Sequence, residues 1–295
     1  MKEGGAMWTR REFVGTVVGG AAVLAGSGGR SEVNTASGRR WRKAFMLGQV
    51  EGDLRPAFEA LREAGFEGVE LISPNRLERG SVLRARDETG LEIHGVSGAL
   101  HWAKPLSDPD PAVVTQGVEA ILQEVEDCRA YGGTTVLVVP GVVTPRVSHR
   151  QVEERSRRVI RESLVDQAAA AGVILAIEEV WNRFLLSAPE FAAYIDSFES
   201  PWVRAYFDVG NVVEYGYPQE WIRELGPRIV KVHVKEYGKA KRFDYRLGEG
   251  EVDWKEVRQA LRDVGYEGWI TAEVPARTLE EYRDLARRMD ELLGW

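Results

Sequence analysis

From residue 41 onward, short apolar runs alternate with longer segments whose apolar positions recur every three or four residues. The short runs predict eight strands, at residues 43–47, 68–72, 91–96, 134–139, 173–179, 203–208, 229–235 and 268–273. Most are apolar on both faces, as parallel strands covered by helices are. Between them the pattern is helical. Asp53 caps a segment whose apolar side holds Leu54, Phe58 and Leu61. Ser148 with Gln151, Asp253 with Glu256, and Thr278 with Glu281 have capping-box spacing before helices over 152–171, 257–264 and the C-terminal segment. In the last of these, Leu279, Tyr282, Leu285, Met289 and Leu292 share one face.

Glycines punctuate the helix-to-strand turns, and AGFEG at 64–68 returns almost unchanged as VGYEG at 264–268. Eight strand–helix units in about 250 residues is the size of a (β/α)8 TIM barrel. An open doubly wound sheet more often carries a glycine-rich phosphate loop after its first strand. Here GQVEG at 48–52 follows and lacks that spacing. The expected fold is therefore α/β, a single TIM barrel over 41–295. The loops after strands three, four and seven, at 97–111, 140–148 and 236–252, are long, and barrel enzymes build their sites from such loops.

The first forty residues follow a different pattern. Arg10-Arg11 precedes a mildly apolar, Gly/Ala-rich run ending near Ala25, the layout of a twin-arginine export signal over 1–25, with a Gly/Ser-rich linker over 26–40. The apolar run is short for a spanning helix, so no stable membrane anchor is expected. The expected location is outside the cytoplasm, with the export machinery a transient partner. If the signal is not used, the protein stays cytoplasmic. The net charge of -7 argues against nucleic acid as a partner. A single cysteine, Cys128, excludes an intrachain disulfide and a thiolate-rich metal site.

Any metal must then be held by oxygen and imidazole, and the strand ends supply both. Glu179, Asp208, His233 and Glu273 lie at or near the ends of strands five to eight. Three carboxylates and an imidazole suit one divalent ion: Mn²⁺, or Mg²⁺, Co²⁺ or Zn²⁺. Their combined charge of about -3 would be costly in a barrel mouth without a cation. Glu178 competes with Glu179, because adjacent strand residues face opposite sides and parity alone does not choose between them. Lys235 and Arg246, with Lys239, Lys241 and Arg242, form a basic group at the seventh loop suited to a phosphate or carboxylate. Trp102 and Trp181 could stack on a sugar face. His94 is expected to point into the barrel mouth, His101 to belong to a lid, and Glu70 to form a salt bridge.

EVWNRF at 179–184, FDVGN at 207–211, VHVK at 232–235, GEGEVDW at 248–254 and AE at 272–273 together resemble the sugar phosphate isomerase/epimerase superfamily. These are xylose isomerase-like TIM barrels that include ketose 3-epimerases and L-xylulose- or L-ribulose-5-phosphate 3-epimerases. The resemblance runs from about residue 43 to 273. It selects Glu179 over Glu178, and it implies Mn²⁺ or a similar ion and a homo-oligomer. It also implies that Glu179 and Glu273 are the acid/base pair that epimerises a ketose at C3 through a metal-stabilised cis-enediolate. Asn211 stands where the best-known free-ketose epimerases have histidine, and Leu185 where they have a second acid. Asn211 can hydrogen-bond a sugar oxygen, but Leu185 cannot. Aldose–ketose isomerase and inosose dehydratase chemistry are the alternatives on the same site, and a non-catalytic exported sugar-binding barrel is the alternative of another class. AP-type endonucleases resemble a histidine-rich multi-zinc site, and four histidines fit that poorly.

Overall fold

The computed structural model describes residues 41–295. The export-signal and linker readings, over 1–40, lie outside the described residues. The strands are β1 (Trp41–Leu47), β2 (Gly68–Ser73), β3 (Glu92–Gly98), β4 (Thr135–Val138), β5 (Ile174–Glu178), β6 (Val203–Asp208), β7 (Ile229–Val234) and β8 (Gly268–Ala272). All eight pair in parallel in sequence order, and β8 returns to β1 to close the barrel. The eight expected strands are therefore present, with ends shifted by at most two residues.

The helices are α1 (Arg55–Glu63), α2 (Arg79–Thr89), α3 (Pro111–Tyr131), α4 (His149–Val159), α5 (Val165–Ala171), α6 (Ala188–Asp196), α7 (Pro218–Leu225), α8 (Trp254–Asp263) and α9 (Leu279–Leu293). Capping boxes start α4 (Ser148 and Gln151) and α9 (Thr278 and Glu281). The helix expected over 152–171 is interrupted by a π-helical turn, Ile160–Leu164, between α4 and α5. Asp53 is not the N-cap of α1; Leu54 is, and Asp53 accepts the Arg55 N–H at 2.9 Å. Among the described residues no helix is long and apolar enough to cross a membrane.

Strand alternation divides the residues between two environments. Val173, Leu175 and Ile177 join the large apolar layer, while Ala176 packs with Leu137, Val139 and Tyr206 in a separate small cluster inside the barrel. Glu178 has the parity of Ala176, and Glu179 that of Ile177. Register irregularities at Val69/Glu70 and Ala205/Tyr206 adjust the alignment of β2 on β3 and of β6 on β7.

Candidate metal centre and active site

Glu178, Asp208, His233 and Glu273 each offer a ligand atom, all within 4.8 Å of one another. The Nδ1 of His233 lies 3.2 Å from Glu178 Oε1, 3.4 Å from Glu273 Oε2 and 3.9 Å from Asp208 Oδ2. This corrects the sequence expectation at one position: Glu178, not Glu179, completes the group. The reason is the pleat. Glu178 ends β5 on the face that points inward, and the next residue must point outward. The Glu179 side chain turns behind the strand, where its Oε1 accepts the Asp208 N–H at 2.9 Å and its Oε2 is buried without a partner. Burial, then the Glu178 and Asp208 charges, push the Glu179 carboxyl well up, which favours its neutral form.

The electrostatics of the four are uneven. Burial raises the Glu178 carboxyl and lifts Asp208 to about 7. Burial also acts on Glu273, but Lys235 and His233 outweigh it and hold that carboxyl well below its usual range. The Lys235 ammonium donates to Glu273 Oε2 at 2.7 Å and lies 3.2 Å from Asp208 Oδ2, which has no well-aligned hydrogen bond. On His233, burial works against the charged form, but the Glu70, Glu178 and Glu273 carboxylates raise the imidazole well above its ordinary value. Three hard oxygen donors and an imidazole crowd one point, and without a cation the Lys235 ammonium and a proton on His233 offset their charge. The donor set fits one divalent cation.

Hydrogen bonds from outside the cluster fix its members. His233 Nε2 faces Glu70 Oε2 at 3.3 Å, leaving Nδ1 toward the carboxylates, and Tyr206 donates its hydroxyl to the same Glu70 oxygen. Asp208 Oδ1 accepts the Asn211 N–H at 2.7 Å, and the Asn211 amide donates to the Glu179 carbonyl at 2.9 Å. Glu70 was expected in a salt bridge; it does pair with an imidazole, and that imidazole belongs to the site. A polar residue at the inward parity of β2 was the available signal.

A cavity of about 320 Å³ opens above the cluster. Glu178, His233, Lys235 and Glu273 form its polar floor, and His101, Trp102, Trp181, Asn211 and Phe243 line its sides. Of the sequence-selected residues, Asn211, Lys235, Trp102, Trp181 and His101 are thus gathered at one cavity. Two are not. His94 is buried below the cluster, where Nδ1 is 3.2 Å from Lys231 Nζ, Nε2 is 3.1 Å from Thr271 Oγ1, and the ring stacks on Trp269. It lies early in β3, too deep to reach the mouth. Arg246 pairs with Asp284 on α9 at 3.0 Å and is largely exposed, because the loop after β7 carries it outward over the helix. Leu185 is buried in the hydrophobic core and faces no sugar.

One organising residue had no signal in the sequence beyond its place after β7. Glu236 accepts N–H groups of Gly248 at 2.7 Å and Val252 at 3.2 Å, and the Trp254 indole N–H at 2.9 Å. Its buried carboxylate ties the long seventh loop to its own root. Arg242, in that loop, holds a left-handed backbone conformation and lays its guanidinium 4.7 Å over the Trp181 ring.

This chain is similar to an L-ribulose-5-phosphate 3-epimerase UlaE from Salmonella heidelberg (strain SL476), 28% identical over 242 residues that cover 76% of this chain and 85% of that protein. Among solved structures, a D-allulose 3-epimerase from Methylomonas sp. in complex with D-allulose superimposes with a TM-score of 0.75 at 22% identity, covering 86% of this chain and 96% of that one. The apo 3-keto-D-glucoside 4-epimerase YcjR from E. coli superimposes with a TM-score of 0.71 at 18% identity, covering 86% and 100%. At those identities the structural likeness speaks for the fold. Residues 58–295 match the model of a family described as xylose isomerase-like TIM barrel, and the chain belongs to that family.

Proposed function

We propose that this protein is a divalent-metal-dependent sugar epimerase that inverts C3 of a ketose or ketose phosphate, with Glu178 and Glu273 as its acid/base pair. One observation supports this reading above the rest: two buried carboxyls from separate strands flank the same imidazole at 3.2 and 3.4 Å, at the floor of a cavity of sugar size. A cation held by Glu178, Asp208, His233 and Glu273 would supply Lewis acidity at the ketose C2 and C3 oxygens. Manganese is the first choice for an oxygen-rich set with one imidazole.

The chain's own groups then divide the work. Burial favours the protonated form of Glu178, whereas Lys235 and His233 favour the ionised form of Glu273. Two carboxyls pushed apart in this way suit an acid and a base. The ionised glutamate takes the C3 proton, the electron pair moves into the C2–C3 enediolate, and the protonated glutamate returns a proton to C3 from the other face. The carboxyls end with exchanged protonation states, as an epimerase working in both directions requires. Lys235, Asn211 and His101 can meet sugar oxygens, while Trp181, Trp102 and Phe243 offer faces to the carbon skeleton.

The kinship with a sugar-phosphate 3-epimerase supports the reaction type. A panel of free ketoses and their 5-phosphates, incubated with chelator-stripped and Mn²⁺-reloaded protein and followed by NMR, tests the proposal. The expected result is a C3 epimer formed only with metal. Formation of an aldose or an unsaturated product would replace the 3-epimerase assignment with isomerase or dehydratase chemistry.

A further inference from the structure

His101 sits in the loop after β3 and lines the cavity. Its Nδ1 is buried and has no hydrogen-bond partner. Glu124, in the middle of α3, is 1% exposed, and its Oε2 also has no partner. Neighbouring Asp127 is well served, accepting from Ser73 at 2.7 Å and Arg79 at 3.0 Å; Glu124 shares none of this. Both unpartnered groups lie against the same glycine. The point where a side chain on Gly98 would begin lies 3.0 Å from His101 Nδ1 and 3.1 Å from both Glu124 carboxyl oxygens. A buried acid on a helix face is costly unless it is neutral and hydrogen-bonded, and such groups rarely go unpaired without a reason.

We propose that Glu124 is a positioning residue for His101: as the loop after β3 settles over a bound sugar, the Glu124 carboxylic acid donates to His101 Nδ1 and fixes the imidazole as its Nε2–H tautomer. His101 then presents an N–H donor to a substrate oxygen, and the absence of a side chain at Gly98 keeps the path open. The part that concerns substrate rests on the epimerase reading; the contact itself does not. Burial favours this arrangement from both sides, since it pushes Glu124 well up toward its neutral acid and lowers His101 to about 4 toward its neutral imidazole. A neutral acid has a proton to give, and a neutral imidazole has one nitrogen to receive it.

The test compares Glu124→Gln, which keeps a donor at that place, with Glu124→Leu, which does not. Each variant is loaded with Mn²⁺ for activity and with diamagnetic Mg²⁺ for ¹⁵N NMR of the histidine rings, with His101→Gln used to assign the signal. Wild type and Glu124→Gln should show the Nε2–H form and similar kcat/KM. Glu124→Leu should show mixed tautomers and lose about tenfold in kcat/KM, the value of one hydrogen bond in a dry site. Combined with His101→Gln, Glu124→Leu should cost nothing further. Gly98→Ala, which leaves both partners in place and separates them, should reproduce the Glu124→Leu spectrum. A wild-type tautomer and rate in Glu124→Leu, or a Glu124→Gln as impaired as Glu124→Leu, would overturn the proposal. The NMR arm needs no turnover. If no sugar is converted, the epimerase reading fails while the spectra still decide the Glu124–His101 contact.

Discussion

Replacing Glu178 and Glu179 in turn by glutamine separates two residues that are adjacent in sequence and opposite in role. Glu178 is buried among the would-be ligands, so Glu178→Gln removes one of the three carboxyl groups that would face the cation. Deleting one partner of a buried charge pair costs about 3–5 kcal/mol. At 1.4 kcal/mol per tenfold, Mn²⁺ affinity should fall by at least about 100-fold. Burial favours the neutral form of Glu179, and the oxygen that accepts the Asp208 N–H survives in glutamine. Glu179→Gln therefore exchanges one neutral acceptor for another and should cost about 1 kcal/mol at most, less than roughly tenfold in affinity. Calorimetric titration of Mn²⁺ into chelator-stripped protein reads both, with circular dichroism confirming that each variant is folded. A Glu179→Gln variant that loses the metal beside a Glu178→Gln variant that keeps it would refute the assignment from strand parity.

Glu70→Gln withdraws the carboxylate that orients His233 through Nε2 and should weaken Mn²⁺ binding by about 10–100-fold in the same titration. In the metal-free protein, Asp208 titrates near 7 against an ordinary 3.8, chiefly because it is buried. Between those values the folded state binds more protons than the unfolded chain, so stability should fall as pH rises from about 4 to about 7. Asp208→Asn should flatten that slope in urea unfolding of chelated protein. Glu236→Ala strands the N–H groups of Gly248, Val252 and Trp254. At about 1–3 kcal/mol for each buried donor left unpaired, the loop after β7 should become a site of rapid proteolytic cleavage.

Much of the barrel was legible because each strand is an apolar run between turn glycines, and three of the four residues of the candidate metal group were legible because a polar residue ends each run. The fourth failed at β5, where both Glu178 and Glu179 follow the run. A signal was present: Val173, Leu175 and Ile177 are the large residues that face helices, and Ala176 is the small one that fits inside, so Glu178 shares the inward parity. The family resemblance selects Glu179, whereas the residue that shares the candidate cluster is Glu178. His94 and Arg246 were misplaced for another reason, since depth along a strand and the path of a long loop are set by tertiary packing. Glu124 carried no local mark at all. It looks like any helix glutamate until α3 is laid against β3 and the carboxyl is buried beside Gly98.

The central claim is that Glu178 and Glu273 move a carbon-bound proton at C3 of a bound ketose. Incubation of Mn²⁺-loaded protein with a ketose it converts, in D₂O, tests it most directly. NMR should show deuterium entering at C3 alone, with the exchange abolished by chelator and reduced about 10²–10⁴-fold in Glu178→Gln and Glu273→Gln, the range for loss of a general acid or base. Undiminished exchange in both variants with metal still bound, or deuterium entering at a carbon other than C3, would contradict it.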